Sequence, residues 1–143
     1  MESVEVLMMK EHERIRQMVR EFEKSFNEKK GNLKDVFNKV KWNVEKHFFV
    51  EEKAIFSMME KLLNGEVAEI FDLMKEHGEI IEIIRGIEGL LDSENIPHIT
   101  GLREKLENHA DFEDKIFYPK LDTLLNNQQK EEIIEKAKEI IRG

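Results

Sequence analysis

Apolar residues in this chain recur at intervals of three and four, and β-branched alternation is nearly absent. That spacing belongs to amphipathic helices with one face turned inward. Residues 3 to 29 read as a first helix with an inward stripe of Met8, Ile15, Val19, Phe22 and Phe26. Lys29-Lys30-Gly31-Asn32 breaks it, with Gly31 suited to a helix C-terminus and Asn32 to the next N-cap. Asn32 and Asp35 resemble a capping box with Asp in place of Glu. The second helix runs to about Leu63, with Val40, Val44, Ile55, Met58 and Leu62 inward, and stops at Asn64-Gly65. The third covers roughly 66 to 92 and turns Ile70, Met74, Ile81, Ile84 and Leu91 inward. After the loop Asp92-Ser93-Glu94-Asn95, Pro97 suits the first turn of a fourth helix. That helix carries Leu102, Leu106, Ile116 and Phe117, and Pro119 is expected to kink or end it. A short fifth helix, about 128 to 141, brings Ile133, Ile134, Ala137 and Ile140 to one face. Four long helices joined by short loops run antiparallel to their neighbours. The expected fold is therefore an all-α, up-down-up-down four-helix bundle, residues 1–143 forming one domain, with the fifth helix packed outside.

Polar residues interrupt these stripes. His12 sits between Met8 and Ile15, and His77 between Met74 and Ile81. His47 and Glu51 sit between Val44 and Ile55, and His109 and Glu113 between Leu106 and Ile116. Each of the four helices thus places one His on its core line, and two add a Glu on the same face one turn later. At about 1.5 Å rise per residue, His12 lies roughly 14 Å above the bottom of the bundle and His77 about 17 Å. His47 lies about 22 Å below the top and His109 about 18 Å, so in a bundle about 40 Å tall all four fall within roughly 8 Å of one level. Four imidazoles and two carboxylates buried in one layer need compensation, and a metal supplies it. Imidazole nitrogen with carboxylate oxygen suits iron, manganese or zinc. Six ligands exceed one open site and suit two metals, each held by two His and bridged by the two Glu.

Composition narrows the chemistry. The 143 residues carry 31 acidic and 23 basic side chains, a formal charge of -8. Nucleic acid and anionic membranes are therefore poor partners for it. There is no cysteine, which removes disulfides, thiolate metal sites and Cys nucleophiles. The N-terminal residues lack the basic and apolar regions of a signal peptide, so a cytoplasmic protein is expected. Glu is abundant, at 25 of the 143 residues, so an isolated His-x3-Glu spacing means little. The coincidence of four His at one level carries the argument instead. His98, in the first turn of the fourth helix, is read as a surface residue, because it lies about 16 Å along the axis from His109. Trp42, Phe48, Phe49 and Phe112 are read as core. Tyr118 is read as ordinary packing, with a hydrogen bond to the metal layer as the alternative, and Glu76 as a solvated charge, with an inward base beside the metal layer as the alternative.

The chain resembles the hemerythrin-like (HHE) family. The residues that carry the resemblance are His12-Glu13-Arg14-Ile15, His47-Phe48-Phe49-Val50-Glu51-Glu52, Glu76-His77, His109-Ala110-Asp111-Phe112-Glu113, and the trailing Ile116-Phe117-Tyr118-Pro119. The resemblance implies a non-haem centre of two iron ions with bridging carboxylates and an oxo or hydroxo bridge, zinc or manganese being substitutes. Its metal ligands would be His12, His47, Glu51, His77, His109 and Glu113. Oxygen-carrying hemerythrins have a fifth His one turn from the third-helix His. Here those positions are Leu73 and Ile81, so this is the four-His, two-Glu variant.

With two His per metal, both ions keep an open position. The implied function is a di-iron protein that meets O2, NO or peroxide in sensing, storage or stress response. An enzyme reducing peroxide or NO with an outside electron-donor protein, or a repair protein for iron–sulfur clusters, is the alternative reading. A metal-responsive interaction module and a plain structural bundle complete the set.

Overall fold

The structure is a computed structural model that describes residues 3–28, 32–91 and 99–142. It is all-α, with no strand among the described residues. Helix α1 spans Val4–Glu28. The second rod is α2 (Leu33–Val50), a π-helical turn π1 (Glu51–Phe56) and α3 (Ser57–Leu63) in one continuous run. The third rod is α4 (Ala68–Gly89). The fourth is α5 (Ile99–Phe112), a second π turn π2 (Glu113–Phe117) and α6 (Tyr118–Leu124), and α7 (Asn127–Arg142) ends the chain. Around the bundle α1 packs on α2, α2 on α4, α4 on α5, and α5 back on α1. Helix α7 lies against α1, α2, π1 and α3.

Local chemistry accounts for the ends. Asn32 caps α2 by accepting the Asp35 N–H at 3.2 Å. Asn64 closes α3 in the left-handed region at φ 54°, which Asn tolerates at a helix end. Asn126 and Gln129 cap α7 reciprocally, each side-chain oxygen accepting the other's backbone N–H at 2.9 and 3.0 Å. The expected roles of Gly31, Pro97 and His98 fall outside the described residues.

The core has two parts. One apolar cluster joins Ile15, Val19 and Phe22 to Phe37, Val44, Ile84 and Leu102. The other joins Met8 to Ile55, Met59, Ile70, Phe117, Leu121 and Ile133. Between them lie the buried His12, His47, Glu51, His77, His109 and Glu113.

Several inward assignments need correction. Pro119 does not end its helix, because α6 continues to Leu124. The wide turn before it replaces the ordinary ladder, the Tyr118 N–H bonding back five residues to the Glu113 carbonyl. That turn also shifts the helical phase by one residue, so Phe117 and Tyr118 are fully buried while Ile116 is 53% exposed. The same shift after π1 buries Met59 fully in place of Met58. In α4 the buried line is Leu73, His77, Ile80, Ile84 and Ile87, and Met74 is exposed. Apolar residues stand side by side at 80–81 and 83–84, so two adjacent lines fit the pattern equally well. Trp42 and Phe49, 65% and 52% exposed, are not core. Each stands two residues from a buried one (Val44 and His47), which on a helix turns it to the opposite side.

Candidate metal centre

Each of the four rods delivers its His to one buried layer. His47 and Glu51 come from α2 and π1, His109 and Glu113 from α5 and π2, His12 from α1 and His77 from α4. Both π turns begin at the Glu of a His-x3-Glu pair. Such turns recur at functional sites because they let one side chain depart from the regular helical face.

The six residues form two groups that share both carboxylates. His12, His47, Glu51 and Glu113 bring ligand atoms within 4.8 Å of one another, and so do Glu51, His77, His109 and Glu113. His12 Nε2 is 3.1 Å from Glu113 Oε1, and His77 Nε2 is 3.1 Å from Glu51 Oε1. His109 Nε2 lies 3.3 Å from Glu113 Oε1 and 3.6 Å from Glu51 Oε1.

Outer partners orient the rings. His12 Nδ1 pairs with Asp114 at 2.9 Å, His77 Nδ1 with Glu52 at 2.8 Å, and His109 Nδ1 with Glu76 at 2.8 Å. A carboxylate on Nδ1 puts the proton there and leaves the Nε2 lone pair facing inward, the tautomer a metal ligand needs. The Tyr118 hydroxyl donates to Glu51 Oε2 and also reaches Glu113 Oε2 at 3.4 Å. Phe48 stacks flat on His77 with ring centres 3.8 Å apart. Two expectations are thereby corrected. Glu76 is a hydrogen-bonding partner of His109 and not a free surface charge, and Tyr118 bonds the carboxylates and does more than pack. The sequence pattern assigns no role on a ring nitrogen to Glu52 or Asp114, although a second acid directly follows the Glu of each His-x3-Glu pair.

The electrostatics are those of a site short of positive charge. Burial would raise the Glu51 carboxyl, but His47 and hydrogen bonds from neighbouring side chains hold it well below its ordinary value. Burial and then the Glu51 charge push Glu113 well above its own, so only one of the two carboxylates ionises readily. Burial and the charges of Glu113 and Glu51 likewise raise the Tyr118 phenol. For His109, burial is outweighed by Glu51 and Glu76, which lift it to about 9. His77 is also raised, its bonds to Glu51 and Glu52 overcoming burial, whereas burial lowers His47.

The donor set fits a metal on two observations. His77 Nε2 and His109 Nε2 face each other at 3.1 Å, which requires a proton or a cation between two lone pairs. Both ring nitrogens of His47 are buried without a hydrogen-bond partner. Its Nε2 is 3.3 Å from Glu51 Oε1 but outside hydrogen-bond geometry. Unpaired buried nitrogens are costly in a finished core and natural in a ligand.

Two spaces adjoin the layer. A cavity of about 20 Å³ touches His12, His47 and His109 and is walled by Ile15, Val19, Phe48, Leu106 and Ala110, with Arg16, Arg103 and Glu107 also lining it. A groove of about 510 Å³ between α4 and α5 reaches His109 and Glu76 from the charged surface of Lys75, Glu79 and Lys105.

A helical bundle with buried His and Glu groups converging at mid-height defines a cation-binding bundle protein. The family model described as hemerythrin HHE cation binding domain matches residues 4–121, and the chain belongs to that family. Helix α7 follows the matched segment. No curated protein and no solved structure gives a match.

Proposed function

We propose that the protein binds two metal ions through His12, His47, His77, His109, Glu51 and Glu113, that the native metal is iron, and that the centre meets O2, NO or peroxide. The carrying observation is the pair of four-residue groups sharing Glu51 and Glu113. Two His and two shared carboxylates leave positions free on each ion for a small ligand. When bound, iron would supply redox chemistry and affinity for diatomic molecules. The chain's own residues do the rest. Asp114, Glu52 and Glu76 hold the imidazoles in the ligating tautomer, and Tyr118 holds a proton beside Glu51. The mainly apolar cavity has room for little more than a water or a diatomic molecule. Gas or redox sensing, storage and stress response in a reducing cytoplasm are the roles this favours.

One observation favours a second reading, reduction of peroxide or NO. Peroxide reduction consumes two electrons and two protons and yields two waters. The groove over Glu76 and His109 gives protons a route from solvent, and an external donor protein would supply the electrons.

The test is to load the protein with ferrous iron without oxygen, count the iron, and follow the optical spectrum through air and then argon. Two irons per chain and a charge-transfer band that persists under argon support sensing or redox use. A band that vanishes under argon means reversible O2 carriage. No retained iron refutes the assignment.

A further inference from the structure

The four imidazoles are not held alike. His12, His77 and His109 each have a carboxylate on Nδ1, whereas His47 Nδ1 is buried and unpartnered. The exception breaks a repeat in the chain. Glu11-His12 matches Glu76-His77, and His47-x3-Glu51-Glu52 matches His109-x3-Glu113-Asp114. Exchanging the halves maps the His77–Glu52 contact onto His12–Asp114, and both are formed. The same exchange maps His109–Glu76 onto His47–Glu11, the one contact of the four that is not formed.

The repeat assigns Glu11 to that contact. It directly precedes His12, is only 9% exposed, and its charge acts on the His47 ring. Its Oε2 is instead held by Arg14 Nη2 at 2.6 Å, one turn along α1. The Arg14 side chain is 47% exposed.

We infer that Glu11 is the positioning residue of His47: when His47 Nε2 ligates a metal, Glu11 leaves Arg14 and accepts the hydrogen bond of His47 Nδ1–H. The inference rests on the dimetal reading above. A metal on Nε2 fixes the proton on Nδ1 and makes that N–H a stronger donor, and a buried donor without an acceptor is costly. The guanidinium that Glu11 abandons reaches water, and an ion pair with an exposed partner is worth little. The His77/His109 half has both Nδ1 atoms already held, while the His12/His47 half must first break the Arg14 pair. The two ions therefore bind unequally, the His12/His47 position being the weaker, with Arg14 as a built-in competitor for Glu11.

The experiment is an anaerobic Co(II) titration of the full chain, read by the visible bands of the bound ion and by competition with a chelator. Wild type should take two ions with distinct affinities. Glu11→Ala should weaken one position by about 10–100-fold and leave the other unchanged. Glu11→Gln, which keeps an acceptor without the charge, should fall between, and Arg14→Gln should strengthen the weaker position. As a second readout, nitrogen-15 spectra of the Zn(II)-loaded protein should show the His47 Nδ1–H signal moved in Glu11→Ala and the other three in place. Unchanged affinities in Glu11→Ala, equal losses at both positions, or a weakened position in Arg14→Gln would each overturn the inference while wild type still binds two ions. A wild type that binds no Co(II) would overturn the dimetal reading with it.

Discussion

Replacing His47 by Leu separates a ligand from a structural histidine by the sign of its effect. Both His47 ring nitrogens are buried without a hydrogen-bond partner. Each such group costs the metal-free fold about 1–3 kcal/mol. Burial holds the ring neutral near pH 8, so its loss removes little attraction to Glu51, which keeps His77, His109 and Tyr118 as partners. Leu fills a similar volume, at the loss of an edge contact with His12 at 4.8 Å. The net expectation is a gain of about 2 kcal/mol without metal, about 6 °C in Tm for a chain of this length. With metal the order reverses. Wild type gains about 2.7 kcal/mol per site at free metal one hundred times Kd, and His47→Leu loses that gain at one site. Paired melts in chelator and in excess Zn(II) at pH 8, with metal content by mass spectrometry, measure both. A variant that melts below wild type in chelator, or that still holds two tight ions, refutes the reasoning.

Further outcomes can be checked with the same assays. Glu113→Ala should lower metal content well below wild type, whereas His98→Ala should leave it unchanged; metal loss in the His98 variant would break the ligand assignment. His109 is raised to about 9, so its contribution is complete below about pH 6.5 and fades as pH rises through 9. His77 and Glu113 are raised too and act in the same direction, while His47 is lowered and titrates below this window. Without metal, Tm should therefore fall between pH 6.5 and 9, and Zn(II) uptake at pH 7 should release protons, that of His109 among them; a flat profile with no release would contradict this picture. Tyr118→Phe removes a buried donor to a charged carboxylate and should cost about 1.5–3 kcal/mol in chelator melts. At Gly86 an added Cβ meets nothing within 4 Å, so Gly86→Ala should stabilise by about 1 kcal/mol, and destabilisation would show a contact that the packing does not contain.

The buried layer of His and Glu was legible because a polar residue on an apolar stripe stands out against its neighbours. His12, His47, His77 and His109 interrupt four separate stripes, and the helix rise places them at one height. Their supports were not legible in the same way. Glu11, Glu52, Glu76 and Asp114 are ordinary members of a chain rich in acids, and only the packing of the rods pairs three of them with a ring nitrogen. Two inward positions beyond the π turns, Met58 and Ile116, differ for another reason, while Ile55 and Phe117 are buried as expected. A period of 3.6 carried past Glu51 or Glu113 points to Met58 and Ile116, while the wide turn delivers Met59 and Tyr118. Nothing in local composition announces that turn.

The division of the core into two apolar clusters bears on how the molecule comes apart. Without metal, the clusters are joined through a layer of hydrogen bonds and shared protons, so each half can open with some independence. Metal ligation would tie all four rods together at that level and couple the halves into a single unfolding unit. Amide exchange in the cluster around Phe22 and Ile84 should then depend on metal more steeply than exchange in the larger cluster around Met59 and Phe117, which α7 also covers. In a cell, a protease acting on the opened half would read the metal content of the centre as the lifetime of the whole chain.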